Sequence, residues 1–212
     1  NKQINQREGN CVFVDSETAE ILQAVREHSE TSQGIFDVTV GTIKHLQQQM
    51  PELSSDSIYQ QAKPSMGLDA WQINDHNLEL LFADTRIDLG GVIKEVAVDQ
   101  AIEIAVNHNA TSVLINFGGD IRVAGEKADN SDFIIAVTNP KDQAQVLFAL
   151  PLKQQALTTS AHYARRYQFA HQNTSHILAA EDTNDKVISV TVVANTALQA
   201  GIFSTALTIN PF

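Results

Sequence analysis

Four short segments carry residue types that could bind a charged ligand or take part in a reaction. The first is Asp88-Leu89-Gly90-Gly91-Val92-Ile93-Lys94, in which a glycine pair lies between a predicted strand, Ile87–Leu89, and a predicted helix. Glycines let a ligand approach the backbone, and the N–H groups that begin a helix suit a phosphate. Lys94 adds a positive charge in the first turn of that helix. A tight turn with a surface lysine is the alternative interpretation of the same residues.

A second glycine pair, Gly118-Gly119, lies between two predicted strands and is flanked by Asn116 and Asp120. Taken alone, this pattern is typical of a hairpin turn or a β-bulge. It predicts a structural role before it predicts a binding role.

The third segment, Thr158 to Tyr163, combines hydroxyl side chains with His162, and His171 and His176 follow it. These residues invite a zinc or serine-hydrolase interpretation. The sequence contains neither an HExxH helix nor a GxSxG elbow, so neither interpretation is favoured. The fourth segment, Ala200 to Thr205, predicts by itself only an apolar helix that contains a glycine, Gly201.

Composition excludes two kinds of partner. The 212 residues carry a net charge of −11 without a Lys/Arg cluster, so a nucleic-acid partner is not expected. No apolar run is long enough for a transmembrane segment. The single cysteine, Cys11, falls in the strand-like run from Asn10 to Val14, and we expect a buried thiol there.

Apolar residues at helical spacing predict the helices that must position these segments. The first starts at an Asp15 or Ser16 cap, and the longest later one spans about Val92 to Asn107. The expected buried face of that later helix consists of four apolar residues. They are Ile93, Ala97, Ala101 and Ile104. The other predicted helices follow Asp37 up to Pro51, span Ser54 to Ala62, and span Thr196 to Thr208 with Leu198, Ile202, Thr205 and Ala206 as the stripe.

Alternating and β-branched runs predict the strands. Trp71–Ile73 and Leu78–Leu80 are expected to form a hairpin with a four-residue turn. Helices cluster early and strands later, which favours an α+β class in one domain, residues 1–212. The other strand candidates are Ser112–Asn116, Asp120–Val123, Phe133–Val137, Val146–Leu150, Arg166–Phe169 and Lys186–Ala194.

Taken in order, the motifs resemble those of the FAD:protein FMN transferase (ApbE) family. Gly34 to Gly41 resembles its Gly-x-Phe-Asp-x-Thr-Val-Gly segment, and Asp88 to Asp99 resembles its Asp-Leu-Gly-Gly-Ile-Ala-Lys-Gly-Tyr-Ala-Val-Asp segment. Four shorter segments follow in the family's order. They are Asn116–Asp120 (Asn-x-Gly-Gly-Asp), Thr159–Tyr163 (Thr-Ser-Gly-Asp-Tyr), Ser175–Ile177 (the start of His-Ile-x-Asp-Pro), and Ser189–Ala194 with Ala200–Leu207 (Ser-Val-Thr-Val and Ala-Asp-x-x-x-Thr-Ala-Leu).

The resemblance implies a single α+β, T-fold-related domain with mixed or antiparallel sheets, lacking parts of the family's terminal regions. It implies FAD and Mg²⁺ as cofactors and cleavage of the flavin pyrophosphate. FMN would pass to a Ser or Thr of a client protein, with release of AMP; some members hydrolyse FAD instead. A periplasmic or inner-membrane-anchored location is also implied, although no targeting segment is visible in the chain.

Specific residues take roles by the same resemblance. Asp37, Lys94 and the backbone near Leu178 would contact FAD, and His176 would lie close to the reacting phosphate and relay a proton. The remaining implied residues belong to the cofactor and metal sites. They are Gly118 and Gly119 for the cofactor, and the Gly91 carbonyl and Thr205 for the metal.

Departures from the family pattern fall around the expected reaction centre. Gly201 replaces an aspartate that would bind the metal, and Glu95 replaces a glycine beside Lys94. His162 stands where Asp or Asn is usual, and Ala179-Ala180 replaces Asp-Pro. Three alternatives follow: an altered transferase, a non-catalytic flavin- or client-binding protein, and a fold kept only as an interaction surface. One hypothesis restores the metal site, since Glu95 could reach the vacated position from the neighbouring helix turn.

Overall fold

The computed structural model describes residues 2–161, 166–169, 172–175 and 187–211. They form two units, each with a core of its own: one is built on the residues up to Gly90 and the other on the residues from Gly91 onward, apart from the short segment around 166–175. Each unit contains helices and antiparallel strands, which confirms the α+β class. The boundaries of a single 1–212 domain stay a prediction.

Helices of the first unit follow the predicted capping signals. The Asp15 carboxylate accepts a hydrogen bond of 2.7 Å from the Thr18 N–H and caps the longest of them, whose residues Leu22 and Val25 are fully buried. The helix predicted after Asp37 begins only at Gly41, because a side-chain-bonded turn occupies residues 37–40. The four helices are α1 (Lys2–Asn5), α2 (Ser16–Thr31), α3 (Gly41–Gln49) and α4 (Ser55–Ala62), followed by 3-10 turns at Lys63–Ser65 and Leu68–Ala70.

The sheet of the first unit has three antiparallel strands, β1 (Cys11–Phe13), β2 (Trp71–Asn74) and β3 (Asn77–Leu80), in the order β1-β3-β2. The predicted hairpin is confirmed, but its turn has two residues because Asn74 pairs with Asn77. The prediction of a buried Cys11 thiol is wrong. Cys11 is exposed, because β1 is an edge strand whose outward positions carry Cys11 and Phe13.

Strands of the second unit form a four-stranded antiparallel sheet and a separate long hairpin. One sheet strand, Ala156–Ala161, was not predicted, because Leu157 is its only large apolar residue and three hydroxyl residues follow it without an alternating pattern. The sheet strands are β4 (Ser112–Phe117), β5 (Asp120–Gly125), β8 (Ala156–Ala161) and β11 (Ser189–Ala194), in the order β11-β8-β5-β4; the hairpin is β6 (Phe133–Asn139) with β7 (Asp142–Leu152), and the short pair is β9 (Arg166–Phe169) with β10 (Gln172–Ser175).

The four-stranded sheet is covered on both faces. One face packs against the β6–β7 hairpin through six buried residues, Ile121, Val123, Ile135, Val137, Leu152 and Leu157. The other face carries two helices, α5 (Ile93–Asn107) and α6 (Ala197–Ile209), which meet the sheet where Val98, Ala156 and Ala197 cluster. Residues that these two helices direct toward the sheet and toward each other are therefore removed from water.

The prediction of which face of α5 is buried is wrong. Ile93 and Ile104 are 50% and 60% exposed, whereas Glu95, Val98 and Ile102 are buried. Apolar side chains lie all around α5, so periodicity alone does not choose the packing face, and a buried glutamate in that face runs against the hydrophobic signal. The predicted stripe of α6 is confirmed for Leu198, Ile202 and Ala206, although the buried surface extends well beyond it. None of the helices in the described ranges has the length and apolar character needed to cross a membrane.

Candidate active site

Asp37 organises a polar turn in the first unit. One carboxylate oxygen, Oδ1, accepts hydrogen bonds from the Thr39 N–H at 2.8 Å and the Thr39 hydroxyl at 2.6 Å. The other, Oδ2, accepts one from the Gly67 N–H at 3.1 Å. Burial raises the pKa of Asp37, opposed by the bonds from Thr39 and Gly67. The local hydrogen bonds already use both oxygens, and the predicted contact of Asp37 with FAD stays a prediction.

This turn lies against the segment that leads to the first glycine pair. A Cβ on Gly41 would come within 2.6 Å of the Arg86 carbonyl oxygen, so a glycine is required for this close approach. The Asp88 N–H donates to the Val38 carbonyl at 2.7 Å. The segment before Gly90 forms only an isolated parallel bridge, between Val40 and Arg86, and is not the strand that the sequence predicted. The Asn5 side chain forms the pair of hydrogen bonds that a neighbouring strand would otherwise form. Its amide donates to the Ile87 carbonyl and accepts from the Ile87 N–H, both at 2.8 Å.

Asp88 fixes the first glycine turn. Its carboxylate bonds the Lys44 ammonium and accepts the Gly90 N–H at 2.8 Å. Burial alone would raise the pKa of Asp88, but the Lys44 and Gly90 bonds outweigh it and the pKa is lowered. The sequence places Asp88 in a motif but does not indicate its role, because its partner Lys44 is 44 residues away in the sequence.

The other end of this turn opens the second unit. Gly91 is exposed, and α5 begins at Ile93, where no side chain of the described residues caps its first N–H groups. Lys94, in the first turn of α5, forms an ion pair with Asp120, whose side chain is 3% exposed. The Lys94 side chain itself is 36% exposed. A positive charge therefore lies at an uncapped helix N-terminus, as the sequence predicted, but it also neutralises a buried carboxylate.

The second glycine pair is a two-residue hairpin turn between β4 and β5. Phe117 pairs with Asp120, and Gly118 and Gly119 have φ angles of 63° and 101°. Positive φ at both central positions is the geometry of a type I′ turn, which strongly favours glycine. The Asn116 side chain accepts the Gly119 N–H at 2.9 Å. The hairpin interpretation is thus confirmed, and contact of these exposed glycines with a cofactor stays a prediction.

Asp99 is a structural carboxylate that the sequence analysis missed. Its Oδ1 accepts from the Arg122 guanidinium at 2.9 Å and from the Ala197 N–H at 2.8 Å, and its Oδ2 accepts from the Leu198 N–H at 3.0 Å. Asp99 therefore satisfies the first N–H groups of α6 while joining α5 to β5. Its only sequence signal was its place at the end of the Asp88–Asp99 motif.

Glu95 is a buried charged residue on α5. It is 6% exposed, and its Oε2 has no hydrogen-bond partner among the described residues. Burial, together with the negative charges of Asp120 and Asp99, raises the pKa of Glu95 to about 6. A Cβ built on Gly201 of α6 would lie 2.6 Å from Glu95 Cγ and 3.1 Å from both Cδ and Oε1. The Glu95 side chain thus fills the space that a side chain at position 201 would need.

Hydroxyl groups continue along α6 from Gly201. The Ser204 hydroxyl donates to the Gly201 carbonyl at 3.0 Å and lies 2.8 Å from the Ser160 hydroxyl. The Thr205 hydroxyl is 3.2 Å from Ser160, and Thr205 lies one helical turn after Gly201, on the same face. A carboxylate, a threonine hydroxyl and the Gly91 carbonyl are hard oxygen donors of the kind that Mg²⁺ binds. The chemistry of these donors suits a magnesium ion, and Mg²⁺ binding at these residues stays a prediction.

Some predicted residues cannot be placed. His176, Leu178, His162 and Ala179-Ala180 lie outside the described residues. Within the ranges that are described, no three His, Cys, Asp or Glu side chains gather as a metal-binding group. A site that uses one carboxylate, neutral oxygens and substrate phosphates needs no such group.

Solved structures share this fold. The ApbE protein of Thermotoga maritima aligns with a TM-score of 0.85 at 27% identity, over 98% of this chain and 70% of that one. The flavinyl transferase ApbE of Pseudomonas stutzeri aligns with a TM-score of 0.81 at 22% identity, over 98% of this chain and 67% of that one.

Sequence comparison gives the family. The ApbE family model matches residues 2–211, and the chain belongs to the ApbE family. It is 24% identical to the FAD:protein FMN transferase of Salmonella typhimurium over 207 residues, which are 92% of this chain and 59% of that protein. The same enzyme of Vibrio cholerae is 24% identical over 203 residues, 92% of this chain and 61% of that protein. The chain thus spans about three fifths of the length of the curated relatives it matches.

Proposed function

We propose that this protein binds FAD and transfers its FMN portion to a serine or threonine of a client protein. The observation that carries the proposal is the Gly90-Gly91 turn, which leads into an α5 N-terminus without a side-chain cap and with Lys94 in its first turn. Such an arrangement suits a diphosphate, because the N–H groups that begin a helix and a cation in its first turn both attract negative charge. Membership of the ApbE family and the names of the relatives support FAD as the diphosphate-containing ligand.

The reaction balances without an oxidant or reductant. The client hydroxyl oxygen forms a bond to the phosphorus on the flavin side of the pyrophosphate. The bond from that phosphorus to the bridging oxygen breaks, and AMP leaves with the electron pair. The hydroxyl proton passes to a base, and His176 is the residue proposed for this role by family resemblance. Water in place of the client hydroxyl would give free FMN and AMP.

Residues of the second unit would hold the metal that such a reaction uses. The Gly91 carbonyl and the Thr205 hydroxyl are the proposed protein donors, and the substrate phosphates add further oxygens. A bound Mg²⁺ supplies charge neutralisation on the phosphate oxygens. Lys94 would hold the diphosphate, and Asp120 keeps the Lys94 ammonium at the start of α5. Gly118, Gly119, Asp37 and Leu178 are proposed FAD contacts.

The test is to incubate the purified protein with FAD, with Mg²⁺ or with EDTA, and to follow AMP and FMN by chromatography. A peptide that contains serine or threonine serves as a model client. Metal-dependent AMP together with a flavinylated peptide is the expected result. AMP with free FMN would identify a hydrolase, and intact FAD that stays bound would identify a flavin-binding relative without the reaction; either result overturns the transferase proposal.

The periplasmic location and the client are proposals of the same kind. The relatives act on protein according to their name, FAD:protein FMN transferase, and this supports a client protein here. Export of a tagged full-length protein, measured by cell fractionation, tests the location. Recovery in the cytoplasm alone would contradict it.

A further inference from the structure

The pair formed by Glu95 and Gly201 carries an inference about metal binding that rests on the proposed function. A carboxylate removed from water normally gains a cation or several hydrogen bonds. Glu95 is 94% buried, and its Oε2 has no hydrogen-bond partner among the described residues. An unpartnered oxygen in such a place is explained if a ligand that the side chain can bind belongs there.

Neighbouring carboxylates show that partners are otherwise provided. Asp120 has Lys94, and Asp99 has Arg122 together with two N–H groups of α6. Glu95 lies on the same helix as Asp99, one turn earlier, and its Oε2 has no hydrogen-bond partner among the described residues. The local charge therefore favours an additional cation at Glu95 and not at Asp99.

Gly201 makes room for this carboxylate. Any side chain at position 201 would meet Glu95, with 2.6 Å between its Cβ and Glu95 Cγ. Conversely, Glu95 Oε1 and Cδ lie 3.1 Å from that Cβ position, beside the face of α6 that also carries Thr205. The carboxylate of a residue on α5 thus occupies the place from which a residue on α6 would otherwise project.

We propose that Glu95 is a divalent-cation ligand of this protein, supplied from α5 beside Gly201 and acting with the Thr205 hydroxyl. Compared with the family pattern, the glycine and the acidic residue have then changed places: Glu95 on α5 supplies the carboxylate, and Gly201 on α6 is the small residue. Glutamate and hydroxyl oxygens select Mg²⁺ or Mn²⁺ over softer metals.

Titration with Mn²⁺ alone tests this proposal, with free Mn²⁺ measured by electron paramagnetic resonance. The wild-type protein is expected to bind one Mn²⁺, and Glu95→Gln is expected to weaken the affinity at least tenfold. The matched control is Glu103→Gln, an exposed glutamate on the same helix, which should leave the affinity within twofold. The double variant E95G/G201D, which returns the carboxylate to α6, is expected to recover the affinity to within about threefold of wild type. Circular dichroism checks that each variant is folded.

Three outcomes would overturn the proposal: no Mn²⁺ bound by the wild-type protein, equal affinity in Glu95→Gln, or an equal loss in Glu103→Gln. FAD binding, followed separately by flavin fluorescence, distinguishes this failure from failure of the proposed function. If the protein binds flavin and its Mn²⁺ affinity does not depend on Glu95, only the inference about Glu95 is wrong. A Glu95-dependent cation site without any flavin binding supports the inference and contradicts the proposed function.

Discussion

Carboxylates of the two units are buried in different ways. In the first unit, the carboxylates of Asp37 and Asp88 accept hydrogen bonds from nearby N–H, hydroxyl and ammonium groups. In the second, Glu95 keeps an oxygen without a hydrogen-bond partner among the described residues, although Asp99 on the same helix is satisfied. The first arrangement holds turns in place. The second lowers the stability of the folded protein, because a buried oxygen lacks a hydrogen bond, and such a feature is typical of a ligand-binding site.

The largest effect is expected where a satisfied carboxylate is removed. Asp99→Ala leaves Arg122 and two N–H groups of α6 without their acceptor, so the free energy of unfolding should fall by about 3 kcal/mol. Urea denaturation measures this, with Glu103→Ala on the exposed face of α5 as the control, expected within about 0.5 kcal/mol of wild type. A loss no larger than that of the control would show that Asp99 does not join α5, β5 and α6.

The packing of Glu95 against Gly201 gives the next effect. Gly201→Ala brings a Cβ within 2.6 Å of Glu95 Cγ and should lower the free energy of unfolding by about 2 kcal/mol, despite the better helix propensity of alanine. In a Glu95→Ala background the same change should become neutral or stabilising. Thermal unfolding of the four proteins of this cycle measures the coupling, and additive effects would contradict the contact.

A smaller effect of opposite sign separates Glu95 from Asp99. In EDTA at pH 8, Glu95→Gln removes an unpartnered buried charge and should raise the free energy of unfolding by about 1 kcal/mol. Saturating Mg²⁺ should stabilise the wild-type protein but not the variant. Urea denaturation in both buffers checks this, and a destabilised variant in EDTA would mean that Glu95 has a structural partner.

The smallest effect is the pH dependence of Asp88. Its pKa is lowered in the folded protein, so its contribution to stability is fully present above the ordinary aspartate pKa of about 3.9 and is lost as the pH falls through the folded value. Lys44→Met should make the acid limb of the stability curve shallower, since it removes the main partner of Asp88. Unfolding free energies between pH 2 and 7 measure the slope. An unchanged slope would show that the bond to Lys44 does not lower the pKa of Asp88.

Local signals in the sequence predicted much of this fold and less of the site. Asp15 as a cap, the hairpin of β2 and β3, and the turn at Gly118-Gly119 follow from short-range chemistry and are confirmed. The packing face of α5 was predicted wrongly, because a helix with apolar residues on several sides is oriented only by its neighbours.

Long-range pairs account for the rest. The partners of Asp88 and Asp99 lie 44 and up to 99 residues away, beyond the reach of any pattern. Glu95 and Gly201 were noted as departures, and only the structure places one against the other.

The central claim is that Glu95 supplies the carboxylate of the metal site. Anomalous diffraction from crystals soaked with FAD and Mn²⁺ tests it most directly. We expect an Mn²⁺ peak at coordination distance from a Glu95 carboxylate oxygen, with the Thr205 hydroxyl in the same coordination sphere. A peak elsewhere, with no metal bound to Glu95, would show that Glu95 is not the ligand.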